Sequence, residues 1–152
     1  MNVLFVCTGN ACRSAAAEYV LKKMLAERNV SDIHVNSVGT LDWGENARDG
    51  VMVRIAAEHG YEMGGFTTFM TAEAVNKADL ILVMTNDHKC TVQRFLKYEN
   101  WDRIQLFMDY CFGEDLPLQD PNCMSEAVYR SVFDKIEQGC REIVRKLLAD
   151  RA

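Results

Sequence analysis

The first fourteen residues constrain the fold more than any other stretch. Val3–Cys7 is a continuous apolar run that ends in a thiol. A short polar loop with one glycine follows, and Arg13-Ser14 open a segment in which Ala17, Val20, Leu21, Met24 and Leu25 recur at helical spacing. An uninterrupted apolar strand needs cover on both faces, as in the middle of a parallel sheet. A helix so soon after it supplies one of those covers. In such sheets ligands sit at the carboxyl ends of the strands, and Cys7 is at that end.

The rest of the chain extends the pattern. Ile33–Val38 reads as a second strand, residues about 46–59 as a helix stopped by Gly60, and Thr71 as the cap of a short helix through Lys77. Asp79–Met84 is the second strongly apolar strand, 86–97 a helix and Ile104–Phe107 a short strand. A loop with Pro117 and Asp120-Pro121 leads to a long helix from Ser125 to Asp150, striped by Val128, Val132, Ile136, Cys140, Ile143 and Leu147. Alternating strands and helices predict right-handed crossovers and a parallel sheet with helices on both faces, an α/β three-layer sandwich. No linker or repeat divides the 152 residues, so one domain over 1–152 is expected.

Charge and cysteine usage exclude several classes. A net charge of −5 argues against a general nucleic-acid or anionic-membrane binder, so an anionic ligand needs a local positive site. No apolar stretch is long enough to span a bilayer, and no basic segment precedes the first strand as a signal peptide would require. The six cysteines form no C-x-x-C pair, so neither a metal nor any other cofactor is expected, and a reduced, cytoplasmic setting is. Cys140 reads as a buried apolar side chain. His34, His59 and His88 read as ordinary surface or loop histidines, and Tyr98, Trp101, Phe107 and Tyr110 as core or interface.

The loop carries the chemistry. Thr8, Gly9, Asn10, Ala11, Cys12, Arg13 and Ser14 are spaced to curl so that successive N–H groups converge on one anion. Gly9 is expected to supply positive φ, with Asn10 the next residue type most tolerant of it. The helix beginning at Ser14 adds its N-terminal dipole. Arg13 offers two parallel donors to a phosphate, and the same positive field favours the thiolate of Cys7 as nucleophile. Ser14 is placed to donate to that thiolate. On spacing alone, a structural βα turn with a buried cysteine is the competing reading, because C-x5-R is a weak motif.

The chain resembles the low-molecular-weight protein tyrosine phosphatase family. The resemblance rests on residues 3–14, Ala17-Glu18, Asn36–Thr40, Ala78–Thr85 and Asp120-Pro121, in the family's order and over nearly the whole chain. It implies a four-stranded parallel sheet, Cys7 as nucleophile, Arg13 as phosphate clamp and Asp120 as general acid, since the residue before Pro121 is biased to an extended backbone. It also implies that Ser37 bonds Asn10, that Trp43 walls the cleft and that Cys12 forms a reversible disulfide with Cys7. The expected partner is a phosphorylated protein, handled by a monomer or weak dimer.

The departures bear on substrate. Ala15 replaces a family proline, with little loss. Gly64–Phe69 lacks the family histidine that supports the loop asparagine, so Asn10 is expected to lose that support. Asn122 and Cys123 replace the two aromatics of tyrosine-specific members. Thr8 agrees with the arginine-phosphatase branch and Ala11 does not. Phosphotyrosine is the expected substrate, with phosphoarginine as the alternative. Arsenate reduction needs two more thiols, and Met84 stands where one is expected, leaving Cys90 nearby. A non-catalytic oxyanion-binding protein is the remaining alternative.

Overall fold

The computed structural model describes residues 1–149 and 151. Among them β1 (Asn2–Cys7) pairs in parallel with β2 (His34–Gly39) on one side and β3 (Leu80–Val83) on the other, and β3 pairs in parallel with β4 (Ile104–Leu106). The four-stranded order is β2-β1-β3-β4. The first strand in sequence is therefore central in space, as its apolar run requires.

Strand alternation sorts the core into two layers. Val3, Phe5, Cys7, Val35, Leu80 and Leu82 face α1 (Arg13–Glu27), α2 (Gly50–Glu58), α5 (Phe107–Phe112) and α6 (Glu126–Leu148). Leu4, Val6, Val38, Ile81, Val83, Ile104 and Leu106 face α3 (Ala72–Lys77) and α4 (Asn86–Gln93). Ala15, Ala16 and Ala17 are fully buried, so α1 offers a nearly smooth face to its neighbours. Cys140 is buried on the α6 stripe, as expected. The expected helix end at Asp150 lies outside the described residues.

Several boundaries differ from expectation for local reasons. α2 starts at Gly50 rather than 46, because Asp49 caps it by accepting from the Val51 and Met52 N–H groups at 3.0 and 3.3 Å. Residues before Asp49 instead form a strap, with an isolated bridge between Ala47 and Phe66. α4 ends at Gln93, and a 3-10 turn over Tyr98–Arg103 and the short α5 are elements the sequence pattern did not predict. Of the four aromatics left between core and interface, Phe107 is fully buried, while Tyr98 is exposed and packs edge-on against the half-buried Trp101. Among the described residues no helix is long and apolar enough to cross a membrane.

Candidate active site

The loop between β1 and α1 is shaped from outside by the strap over residues 40–49. The Thr40 N–H donates to the Cys7 carbonyl, Leu41 to Thr8 and Asp49 to Ala11, each at 2.9 Å, and the Arg48 guanidinium donates to the Asn10 carbonyl. The carbonyls of the loop are thus drawn outward. Among the described residues, the N–H groups of Gly9–Cys12 have no backbone partner. That is the arrangement of an anion nest, continued by the free N–H groups at the start of α1.

Two small residues make the curl fit. A Cβ on Gly39 would lie 2.7 Å from the Thr8 carbonyl oxygen and 2.8 Å from the Gly9 carbonyl carbon, so the end of β2 must be glycine for the loop to lie on it. Gly9 corrects the expectation about φ: the left-handed residue of the loop is Asn10, at φ 58, and Gly9 is not. Gly9 is small for space, since a Cβ there would lie 1.9 Å from the Trp43 ring. The indole lies against the loop.

Asn10 is the hub of a buried network. Its Nδ2 donates to Ser37 Oγ at 2.7 Å and to Ser14 Oγ at 2.9 Å. Ser37 Oγ donates to Glu18 Oε1 at 2.5 Å, and Lys22 holds the other oxygen of that carboxylate. Ser14 accepts from Asn10, and its own proton has two acceptors in reach, Cys7 Sγ at 2.8 Å and the Val38 carbonyl at 3.4 Å, of which the thiol sulfur is the nearer. Asn10 Oδ1 accepts from the Thr68 N–H at 2.9 Å and from Arg48 Nη1 at 2.7 Å. The support expected to be lost with the missing histidine is therefore present, delivered by Arg48, whose Nε is anchored on the Gly64 carbonyl at 3.1 Å.

Arg13 is buried, with Nη1 on the Leu118 carbonyl at 2.8 Å and Nη2 3.8 Å from Asp120 Oδ2. That carbonyl fixes the guanidinium rotation and leaves the Nε/Nη2 edge for two oxygens of an anion. Asp120 itself is half-exposed, with Oδ1 held by the Asn122 N–H at 3.0 Å. Cys7, Thr8, Gly9, Ala11, Cys12, Arg13, Trp43, Asp49, Asp120 and Asn122 line one pocket of about 70 Å³. Asn10, Ser14 and Ser37 lie behind its wall.

The two loop thiols differ. Burial pushes the Cys12 thiol well above its ordinary value, and the nearby Asp49, Cys7 and Asp120 push the same way against Arg13. Cys12 therefore stays a thiol and leaves the nucleophile position to Cys7. Cys90 is exposed on α4 and does not line the pocket, so the third thiol of an arsenate relay is not at this site among the described residues.

His88 needs correction. It is neither a surface nor a loop residue but is buried in the first turn of α4, with Nε2 2.9 Å from Thr8 Oγ1. His34 and His59 are exposed as expected. Arg48, Asp49, Glu18 and His88 are the site residues that sequence reasoning missed as such. The only signal for them was the matched Glu18 of α1 and the position of Asp49 before an apolar run.

The chain is similar to known proteins in sequence and in fold. The family model described as low molecular weight phosphotyrosine protein phosphatase matches residues 2–152. A protein-arginine-phosphatase of Bacillus subtilis is 31% identical over 152 residues, covering 99% of each chain. A protein tyrosine phosphatase of Entamoeba histolytica superposes with a TM-score of 0.90 at 26% identity, covering 100% of this chain and 99% of that one. A YwlE arginine phosphatase variant with a phosphorylated active-site serine does so with a TM-score of 0.89 at 29% identity, covering 99% and 98%. The matched range, residues 2–152, takes in nearly the whole chain, and the chain belongs to the low molecular weight phosphotyrosine protein phosphatase family.

Proposed function

We propose that this protein hydrolyses phosphotyrosine in protein substrates through a cysteinyl-phosphate intermediate. The observation that carries the reading is the contact of Cys7 Sγ with Ser14 Oγ at 2.8 Å in a small pocket where Arg13 and Asp120 also converge. Cys7 attacks phosphorus, forming an S–P bond as the P–O bond to the leaving group breaks, and Asp120 gives its proton to the departing oxygen. Water then attacks phosphorus and loses a proton to Asp120. The S–P bond breaks, the Ser14 hydroxyl receives the departing thiolate, and inorganic phosphate leaves. The inward N–H groups and Arg13 hold the phosphoryl oxygens throughout. Trp43 walls the ring, and Ser37 acts through Asn10. Cys12 lines the same pocket as Cys7 and is proposed to close a protective disulfide with it when a peroxide-type oxidant converts Cys7 to the sulfenic acid, with loss of water.

A second reading, removal of phosphate from arginine, is favoured by the carboxylates of both Asp49 and Asp120 on the pocket wall. They suit a cationic guanidinium, and the indole face of Trp43 does as well. The B. subtilis relative with that name supports the same alternative. The protein is proposed to act in the cytoplasm as a monomer or weak dimer, with its six unbridged cysteines suited to a reducing compartment.

Cys7→Ser is expected to abolish hydrolysis of para-nitrophenyl phosphate. Undiminished turnover would sink the mechanism. Rates on matched phosphotyrosine and phosphoarginine peptides decide between the substrates: a higher kcat/KM on phosphoarginine would replace the first reading with the second.

A further inference from the structure

His88 is a buried imidazole that the mechanism above does not use. Both of its ring nitrogens are engaged. Nδ1 accepts from the Thr85 N–H at 3.2 Å, and the Thr85 hydroxyl accepts in return from the His88 N–H at 3.3 Å, a reciprocal cap on α4. A ring nitrogen that accepts from a backbone N–H carries no proton. The neutral imidazole then has its proton on Nε2, which donates to Thr8 Oγ1 at 2.9 Å. Burial, helped by the Arg13 charge, lowers the His88 pKa to about 4, so the neutral form is the working one.

The consequence lies at Thr8. Its hydroxyl oxygen accepts from His88, so its own proton is free to be donated elsewhere. Among the described residues no other group bonds Thr8 Oγ1. Thr8 is the residue directly after Cys7 and lines the 70 Å³ pocket together with Cys7 and Arg13. The hydrogen bond also spans two elements. It ties the β3–α4 junction to the first residue of the anion loop, so the position of the hydroxyl is set by the rigid sheet rather than by the loop alone.

We infer that His88 is a positioning residue for phosphoryl transfer, which fixes the Thr8 hydroxyl as a hydrogen-bond donor to the phosphoryl group above Cys7. This rests on the phosphatase reading. It adds a side-chain donor to the backbone N–H groups and Arg13, with its polarity set from behind. A donor of this kind strengthens as charge gathers on the transferring group, so its loss lowers kcat more than it raises KM.

A double-mutant cycle on the full chain tests the inference, with kcat and KM for para-nitrophenyl phosphate measured for each variant. Thr8→Val is expected to lower kcat about tenfold, the effect of one hydrogen bond to a charged group. Thr8→Ser, which keeps the hydroxyl, should lose several-fold less than Thr8→Val. His88→Leu should match Thr8→Val, the double variant should be no slower than Thr8→Val alone, and His88→Gln should recover much of the rate because its amide keeps an N–H near the Nε2 position. A purely structural role for His88 gives a different pattern: the double variant would then multiply the two losses, and that result would overturn the proposal. So would a Thr8→Val kcat equal to wild type. If His88→Leu does not fold, His88→Asn, a smaller amide that lacks a donor at the Nε2 position, takes its place in the cycle and is judged by the same criterion. A wild-type protein inert toward para-nitrophenyl phosphate would overturn the phosphatase reading itself, whereas an active wild type with an unaffected Thr8→Val overturns only the role of His88.

Discussion

Asp120 stands at the pocket mouth with one carboxylate oxygen on the Asn122 N–H and the other 3.8 Å from Arg13. If it is the proton donor, its worth depends on how much the leaving group needs a proton. Asp120→Ala is expected to slow an alkyl or unactivated phenyl phosphate about a hundredfold or more, and para-nitrophenyl phosphate much less. Equal losses across a leaving-group series would remove Asp120 from that role. His88 gives a stability prediction. Its folded pKa of about 4 lies below the ordinary 6.5, so between those values the unfolded chain binds a proton that the native protein does not. Stability contributed by neutral His88 is therefore complete above about pH 6.5 and is lost as pH falls toward 4. Urea unfolding at pH 7 and pH 4.5 should show a smaller loss for His88→Gln than for wild type; equal losses would count against it. At this scale the sequence was informative where the chemistry is contiguous. Cys7 through Ser14 could be read as a unit because they are consecutive residues between a strand end and a helix start, with a Gly-Asn turn between. The Leu118 carbonyl on Arg13, Arg48 on Asn10 and His88 on Thr8 reach across 105, 38 and 80 residues. No local pattern marks such partners.

The strap before α2 is the element that holds the anion loop open. Residues 46–48 carry a helical pattern, yet Asp49 wins the start of the helix because its carboxylate takes the Val51 and Met52 N–H groups and, through Oδ2, the Tyr129 hydroxyl at 2.6 Å. Periodicity counts apolar residues and is blind to a cap anchored by a distant tyrosine, which is why that boundary was misread by four residues. The displaced segment then brings Arg48 to Asn10. Asn10 holds φ 58, a conformation costly for a residue with a Cβ, and the network around it maintains that turn. Arg48→Ala is expected to lower kcat/KM by about tenfold or more while the sheet core is untouched. Wild-type kcat/KM in that variant would show that Ser14, Ser37 and Thr68 hold Asn10 without Arg48. Strands β1 and β3 were the most legible elements, because burial on both faces leaves an unbroken apolar run. The short α5 was missed since six residues show less than two turns of period.

On a chain of net charge −5, the pocket is a small basin where inward N–H groups and Arg13 stand beside the carboxylates of Asp49 and Asp120. The sheet sets this up: β1 is central, and its carboxyl end places the loop at the edge where β2 and β3 also finish. The native fold holds several N–H dipoles pointing together, and an anion relieves their mutual repulsion. Inorganic phosphate at about a hundred times its Kd should therefore raise the Tm by roughly 5 °C or more, and Arg13→Ala should abolish most of that rise. An unchanged Tm in saturating phosphate would mean that the basin does not bind the dianion. The three-layer architecture was legible in the alternation of elements, whereas the division of labour between layers was not. The side of α1, α2 and α6 contributes Glu18, Asp49 and Tyr129 to the supports of the loop, and the other side sends in His88 from α4.

The contact between Gly9 and Trp43 has a bearing on how such a protein diversifies. Position 9 does not need positive φ, and the three atoms nearest to an alanine methyl there are all indole carbons of Trp43, the first 1.9 Å away. One methyl group thus governs whether the aromatic wall stays seated. A lineage or a designer seeking a wider mouth for bulkier phosphorylated residues has a single-codon route to it, two residues from the thiol and without altering any group proposed to handle the phosphate.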